Sequence, residues 1–114
     1  MVALMTEVFN RQDCLERVGG DEELLEEMLQ TFMEYTPGQL QRMRQAWEAG
    51  DVARMQGEAH SLKGAAGSIS AGALKNVASE LELAGQNCAR EQAGLLLEAI
   101  IQEFGRLQEV LGKE

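Results

Sequence analysis

His60 is the only histidine of the chain, and it stands in the stretch EAHSLKGAAGSIS with Gly57, Gly64 and Gly67 around it and Lys63 one helical turn further on. An imidazole is a nucleophile, a proton acceptor and a metal ligand near neutral pH, so its company decides its chemistry. A zinc-type site needs several His or Cys ligands at short spacing, and Cys14 and Cys88 lie far from His60 and from each other. Both read as ordinary core or near-surface thiols. Between Ala59 and Ser79 the only formal charges are Lys63 and Lys75, whereas the chain as a whole carries a net charge of −9. The surroundings of the histidine are therefore locally basic. Such a patch suits a phosphoryl group, which brings about −1.5 to −2 charge units and is stabilised by a positioned lysine.

The elements that carry these residues read as helices. Hydrophobic residues make up 45% of the 114, aromatic ones only 4%, and there is a single proline, a balance that favours helix over sheet. Asn10 is a candidate N-cap for a short first helix holding Leu15 and Val18, which Gly19-Gly20 would stop. A long amphipathic element follows from Asp21, with acids at its N-terminus and Leu25, Met28, Leu29, Phe32, Leu40, Met43 and Trp47 at helical spacing. Pro37 predicts a kink or a restart within it, and Gly50 ends it. Asp51 caps the next helix, whose stripe of Val52, Met55, Ala59, Leu62, Ala66 and Ile69 faces a core. Leu74, Val77, Ala78, Leu81 and Ala84 line another helix, with Gly85 to Asn87 as its end. The last runs from about Glu91 to Leu111 with Leu97, Ile100, Phe104, Leu107 and Leu111 inward. The expected fold is all-α: an antiparallel, up-down four-helix bundle with the short first helix as a lid. Residues 1–9 form a lead-in and 10–112 one domain, with no linker, repeat or low-complexity tract to divide it.

Charge and hydropathy narrow the partners. The acidic balance argues against nucleic acid and anionic membranes, which both need basic patches. No apolar run approaches a membrane span, and MVALMTEVF lacks the features of a signal peptide, so no membrane contact and a cytoplasmic location are expected. The acids Glu22, Glu23, Glu26 and Glu27 read as a solvated helix face. Met28, Met43 and Met55 fall on core stripes and read as packing. One apolar seam per helix is enough to build the bundle, so a monomer is expected.

On a helical wheel His60 lies roughly 130° from the centre of the Val52–Ile69 stripe and therefore faces outward. Gly64 and Gly67 fall within about 40° of it, and Gly57 and Lys63 within about 60° on either flank. Each glycine inside a helix costs roughly 0.5–1 kcal/mol relative to alanine, so stability alone does not explain them. The grouping implies that something large approaches the imidazole closely. The candidate partner surface is Gln56, Gly57, Gly64, Gly67, Ser68 and Lys75.

HSLKGAAGSISAGAL, His60 to Leu74, resembles the signature of histidine phosphotransfer domains, in which a phosphorylatable histidine is followed by a hydrophobic residue, Lys-Gly, small residues and a turn. FNRQDCLERVGGDEELLEEMLQTF and TPGQLQRMRQAWEAGD resemble the first half of such domains, particularly those at the C-terminus of hybrid sensor kinases. The resemblance implies that His60 takes a phosphoryl group from a receiver-domain aspartyl phosphate and passes it to another receiver. It also implies that Lys63 helps to hold the phosphoryl oxygens, that Gly64 lets the receiver close over the site, and that Glu82 accepts a hydrogen bond from Nδ1–H and leaves Nε2 free. Ser70 stands where the family usually has Gly, and Gly72 is expected to supply the missing flexibility.

No carboxylate cluster lies near His60 in the sequence, so the chain needs no cofactor of its own and Mg²⁺ is expected on the partner receiver. No nucleotide cradle of the G-x-x-x-x-G-K-[ST] kind occurs, which makes the chain a phosphocarrier rather than an autonomous enzyme, alone or as part of a sensor kinase polypeptide. Two alternatives keep the fold. One is the phosphoacceptor domain of a chemotaxis-type kinase, which shares H-x-x-K-G; the other is a receiver-docking module that takes no phosphate.

Overall fold

The computed structural model describes residues 7–86 and 90–113, so Asn87 and Cys88 lie outside the described residues. Among these there are five helices: α1 (Arg11–Arg17), α2 (Glu22–Ala49), α3 (Val52–Ser68), α4 (Gly72–Gln86) and α5 (Arg90–Gly112). The starts of α1, α2 and α3 follow from side-chain caps, which satisfy amides that have no partner inside the helix. Asn10 accepts from the Asp13 amide at 2.9 Å, Asp21 from Leu24 at 3.0 Å and Asp51 from Arg54 at 3.1 Å. Gly50 ends α2 with φ +71°, and the Asp51 amide then reaches back to the Ala46 carbonyl at 2.8 Å. That reversal needs a left-handed residue, which glycine supplies without steric cost.

Helices α2 to α5 form the bundle, each antiparallel to the next, and α1 lies across the end where α3 turns into α4. Leu25 and Met43 of α2, Leu62 of α3, Leu81 of α4 and Leu97 and Leu107 of α5 are fully buried, with Cys14 of α1 among them. Each large apolar side chain removed from water contributes about 1.5–3 kcal/mol, and this seam decides the arrangement. Phe32 and Phe104 close one level of it with ring centroids 6.2 Å apart. At the other end Trp47 and Arg90 are tied reciprocally: the indole N–H donates to the Arg90 carbonyl at 3.0 Å, and the guanidinium donates to the Trp47 carbonyl at 2.7 Å.

Two expectations are corrected. Pro37 does not restart the helix; α2 is one unbroken element with the proline inside it. The ring removes a single donor from a helix that is buried on both sides of it through Phe32, Thr36, Gln39 and Leu40, and that packing outweighs the roughly 3 kcal/mol a mid-helix proline costs. Nor does Gly72 supply the bend after α3. It is the first residue of α4, and Ser70 itself is left-handed, with φ +60°. Neighbours hold that conformation: Ser70 Oγ donates to Asp13 Oδ2 at 2.6 Å, and its carbonyl accepts from the Asn10 amide at 3.1 Å. The Ala73 amide donates to the Glu7 carbonyl at 2.8 Å, so the end of the lead-in is strapped to the same turn. Helix α4 runs to Gln86, within the expected end at Gly85 to Asn87, and a Cβ built on Gly85 would lie 3.5 Å from that of Gln56. Among the described residues, no helix is long and apolar enough to cross a membrane.

Candidate functional site

Helix α3 holds His60 by burying the residues beside it. Ala59 and Leu62 are fully inside the core, which turns the imidazole outward with its side chain 68% exposed. From the neighbouring α4, Glu82 reaches the ring: its Oε2 lies 2.8 Å from His60 Nδ1, and its Oε1 accepts from Lys63 Nζ at 2.6 Å. The Lys63 hydrogen bond, and after it that of His60, hold the Glu82 carboxyl below the usual carboxylate range against the opposing effect of burial. Glu82 is therefore ionised at neutral pH and can only accept, so Nδ1 carries the ring proton. With the proton on Nδ1 and no second one on the ring, the lone pair lies on Nε2, for which no contact with a described residue is found.

The local charge differs from that of the linear stretch. Folding brings the Glu82 carboxylate into a segment whose only formal charges are lysines, and Lys63 is paired rather than free. The remaining candidates divide by place. Gly57 and Gly64 are exposed on the His60 face, and a Cβ at either would meet nothing within 4 Å. Gly67 and Lys75 lie against each other, with the Lys75 Cδ 3.4 Å from a Cβ built on Gly67. Gln56 is half-buried in the α3–α4 seam beside Gly85. Ser68 turns to the other flank, its Oγ donating to the Gly64 carbonyl at 3.0 Å.

On that other flank the structure shows a feature missing from the sequence reading. A shallow groove of about 440 Å³ runs between α2 and α3, lined by Leu24, Met28, Phe32, Tyr35, Ala65 and Ile69 among others. Leu24 and Tyr35 are exposed large side chains at its rim. They fall off the apolar stripe of α2, and an off-stripe apolar residue is the signal by which they could have been found. Beside the groove Arg42 joins Tyr35 to Glu58, donating to the Tyr35 hydroxyl at 2.8 Å and to Glu58 Oε2 at 2.9 Å. The Arg42 hydrogen bond, followed by that of Gln39, lowers the Glu58 carboxyl against the effect of its burial.

The model of the Hpt domain family matches residues 27–110. In fold the chain is similar to the HPT domain from a sensor hybrid histidine kinase of Shewanella, with a TM-score of 0.74 and 22% identity, covering 97% of both chains. No curated protein matches the chain.

Proposed function

The chain belongs to the Hpt domain family and is a histidine phosphotransfer module of a phosphorelay, and on that premise we propose that His60 is the phosphoacceptor, through Nε2. The observation that carries this is the pairing of an exposed ring with a carboxylate on its inner nitrogen: Glu82 fixes the proton on Nδ1 and leaves the nucleophilic lone pair directed away from the protein. Hpt domains work with response-regulator receiver domains in phosphorelays. In the proposed step Nε2 attacks the phosphorus of a receiver aspartyl phosphate, the N–P bond forms, and the P–O bond to the aspartate breaks with the carboxylate leaving. The ring becomes a cation that keeps its Nδ1 proton, and the Glu82 carboxylate 2.8 Å away stabilises that charge. No proton has to leave, so the same path runs backward when the group passes to a second receiver.

Lys63 would exchange its Glu82 oxygen for a phosphoryl oxygen, a change within reach of a flexible, one-third exposed ammonium. Any Mg²⁺ that the transfer uses would be the receiver's contribution. Open space above Gly57 and Gly64 would admit the receiver's surface to the ring. The test is intact mass and peptide mapping after mixing the protein with phosphorylated receiver domains, beside His60→Gln. One acid-labile phosphoryl group on His60, absent from the variant, is expected; labelling elsewhere, or none, rejects His60 as the acceptor.

A further inference from the structure

A receiver that reaches Nε2 must cover far more than one imidazole. A specific interface buries about 800 Å² on each partner, so the footprint has to spread from His60 over one flank of α3 or the other. Toward α4 the surface is polar: Lys63 on Glu82, then Lys75, Ser79 and Glu80 exposed. From His60 to the C-terminal end of α3 the exposed residues toward α2 are Ser61, Gly64, Ala65 and Ser68, none larger than serine, while Arg54 is exposed on the same flank six residues before His60. This low strip is continuous from His60 to the apolar groove and ends at the Tyr35 rim. A partner lying on it meets no tall side chain before Tyr35.

Tyr35 is unusual for an exposed residue because its pose is fixed from both ends. Its ring is 55% exposed, yet the Arg42 guanidinium donates to its hydroxyl at 2.8 Å and stands 5.3 Å from its ring centroid. Arg42 is anchored in turn on Glu58 Oε2 at 2.9 Å, and Gln39, fully buried, donates to the Glu58 Oε1 at 3.2 Å and to its carbonyl at 3.3 Å. Glu58 belongs to α3, two residues before His60. The position of the tyrosine is thus referenced to the helix that carries the acceptor. A pinned aromatic with a polar tip gives a large contact at little entropic cost, the property that concentrates binding energy in Tyr and Trp at interfaces.

We infer that Tyr35 is a docking contact for the receiver domain and that Arg42, held by Glu58, is the residue that positions it. The inference rests on the phosphocarrier reading above, and the experiment separates the two. Phosphoramidate, a small donor with no surface to dock, is first used to label the wild-type chain; labelling at His60 supports that reading independently of any receiver. Transfer kinetics are then measured with a receiver domain that exchanges phosphoryl groups with the wild type. Tyr35→Ala is expected to raise KM about tenfold or more with kcat within about twofold of wild type. Tyr35→Phe, which keeps the ring and loses only the Arg42 bond, should raise KM about two- to threefold, and Arg42→Gln should resemble it. Leu95→Ala, at an exposed site on α5, should change neither constant. A KM for Tyr35→Ala within twofold of wild type, or a fall in kcat without a rise in KM, overturns the docking role and leaves His60 as acceptor. If Tyr35→Ala melts well below wild type, Tyr35→Phe and Arg42→Gln decide, and wild-type KM in both overturns the proposal. Failure of phosphoramidate to label His60 removes the carrier reading, and with it the proposal; labelling by phosphoramidate without exchange by any receiver overturns the docking role alone.

Discussion

Glu82 Oε2 lies 2.8 Å from His60 Nδ1, a contact made between neighbouring helices across 22 residues of sequence. It is the relationship that decides which ring nitrogen is free. Glu82→Ala removes the acceptor and lets the ring turn and exchange tautomers, so phosphoryl transfer should slow by about 10- to 100-fold, the range typical of lost partners of a functional imidazole. Glu82→Gln keeps an oxygen acceptor for Nδ1–H but loses the charge that steadies the phosphorylated ring, and should fall between wild type and the alanine variant. Single-turnover transfer rates at saturating receiver check both. Equal rates in all three proteins would remove Glu82 from the mechanism.

The same carboxylate predicts a pH dependence of stability. Its folded value is lowered by Lys63 first and His60 second. A lowered folded value means the contacts stabilise the fold above the range of the unfolded carboxyl, and that this contribution disappears as pH falls through the lower, folded value. The melting difference between wild type and Glu82→Gln should therefore shrink as pH falls below about 5. Melting curves across that range test it. A difference that grows in acid would contradict the assigned charge state.

His60→Gln should abolish phosphoryl acceptance and leave the fold alone. The ring is two-thirds exposed, and Glu82 retains Lys63 when the imidazole is gone. Surface substitutions of this kind change stability by about 0.5 kcal/mol or less. A melting temperature close to wild type with no acid-labile label is the expected pair of results. A large loss of melting temperature would make His60 a structural residue.

Much of the frame was legible from residue types, because caps and stripes act locally: Asn10, Asp21, Asp51 and Gly50 do at their helix ends what their side chains or backbone freedom dictate. The outward direction of His60 followed from the same periodicity. What escaped depends on which helix faces which. Arg42 and Glu58 look like solvated charges in the linear chain, and only the antiparallel pairing of α2 with α3 brings them to 2.9 Å. The lysines of the His60 stretch read as a basic patch until α4 delivers Glu82, a residue visible beforehand only through family resemblance. Pro37 misled for a related reason: a local rule about one lost donor competes with a buried face two turns long, and the face prevails. The bend after α3 was sought at a glycine, while the turn is held at a serine by contacts from α1.

Two glycines make opposite predictions. At Gly64 an added Cβ meets open space, so Gly64→Ala should stabilise the protein by about 0.5–1 kcal/mol through helix propensity. Gly64→Gln should also fold but slow transfer by obstructing the receiver. At Gly94 an added Cβ would sit 2.8 Å from Trp47 Cζ2, and the indole cannot yield freely because its N–H is bonded to the Arg90 carbonyl. Gly94→Ala should therefore destabilise by about 1–3 kcal/mol. Denaturant melts of both variants, with transfer rates for Gly64→Gln, check these signs. Wild-type transfer in Gly64→Gln would mean that the receiver does not cross that part of α3.

Ser70 sets strain against a hydrogen bond, and pH separates them. A left-handed conformation costs a non-glycine residue about 1–2 kcal/mol, so Ser70→Gly relieves strain while losing the bond from Oγ to Asp13 and gaining freedom in the unfolded chain. These effects oppose one another, and the glycine variant should melt near wild type at pH 7. Ser70→Ala keeps the strain and loses the bond, so it should melt lowest. Asp13 is held below the usual carboxylate range by the Ser70 bond first and Arg17 second. Its stabilising contribution is present above the range of the unfolded carboxyl and is lost as pH falls through the folded value. Acidification therefore weakens wild type more than either variant: the gap to Ser70→Ala should close, and Ser70→Gly should become the most stable of the three. Melting temperatures at neutral and acid pH test the order. If Ser70→Gly instead melts below Ser70→Ala at both, the turn gains nothing from a residue free to adopt positive φ.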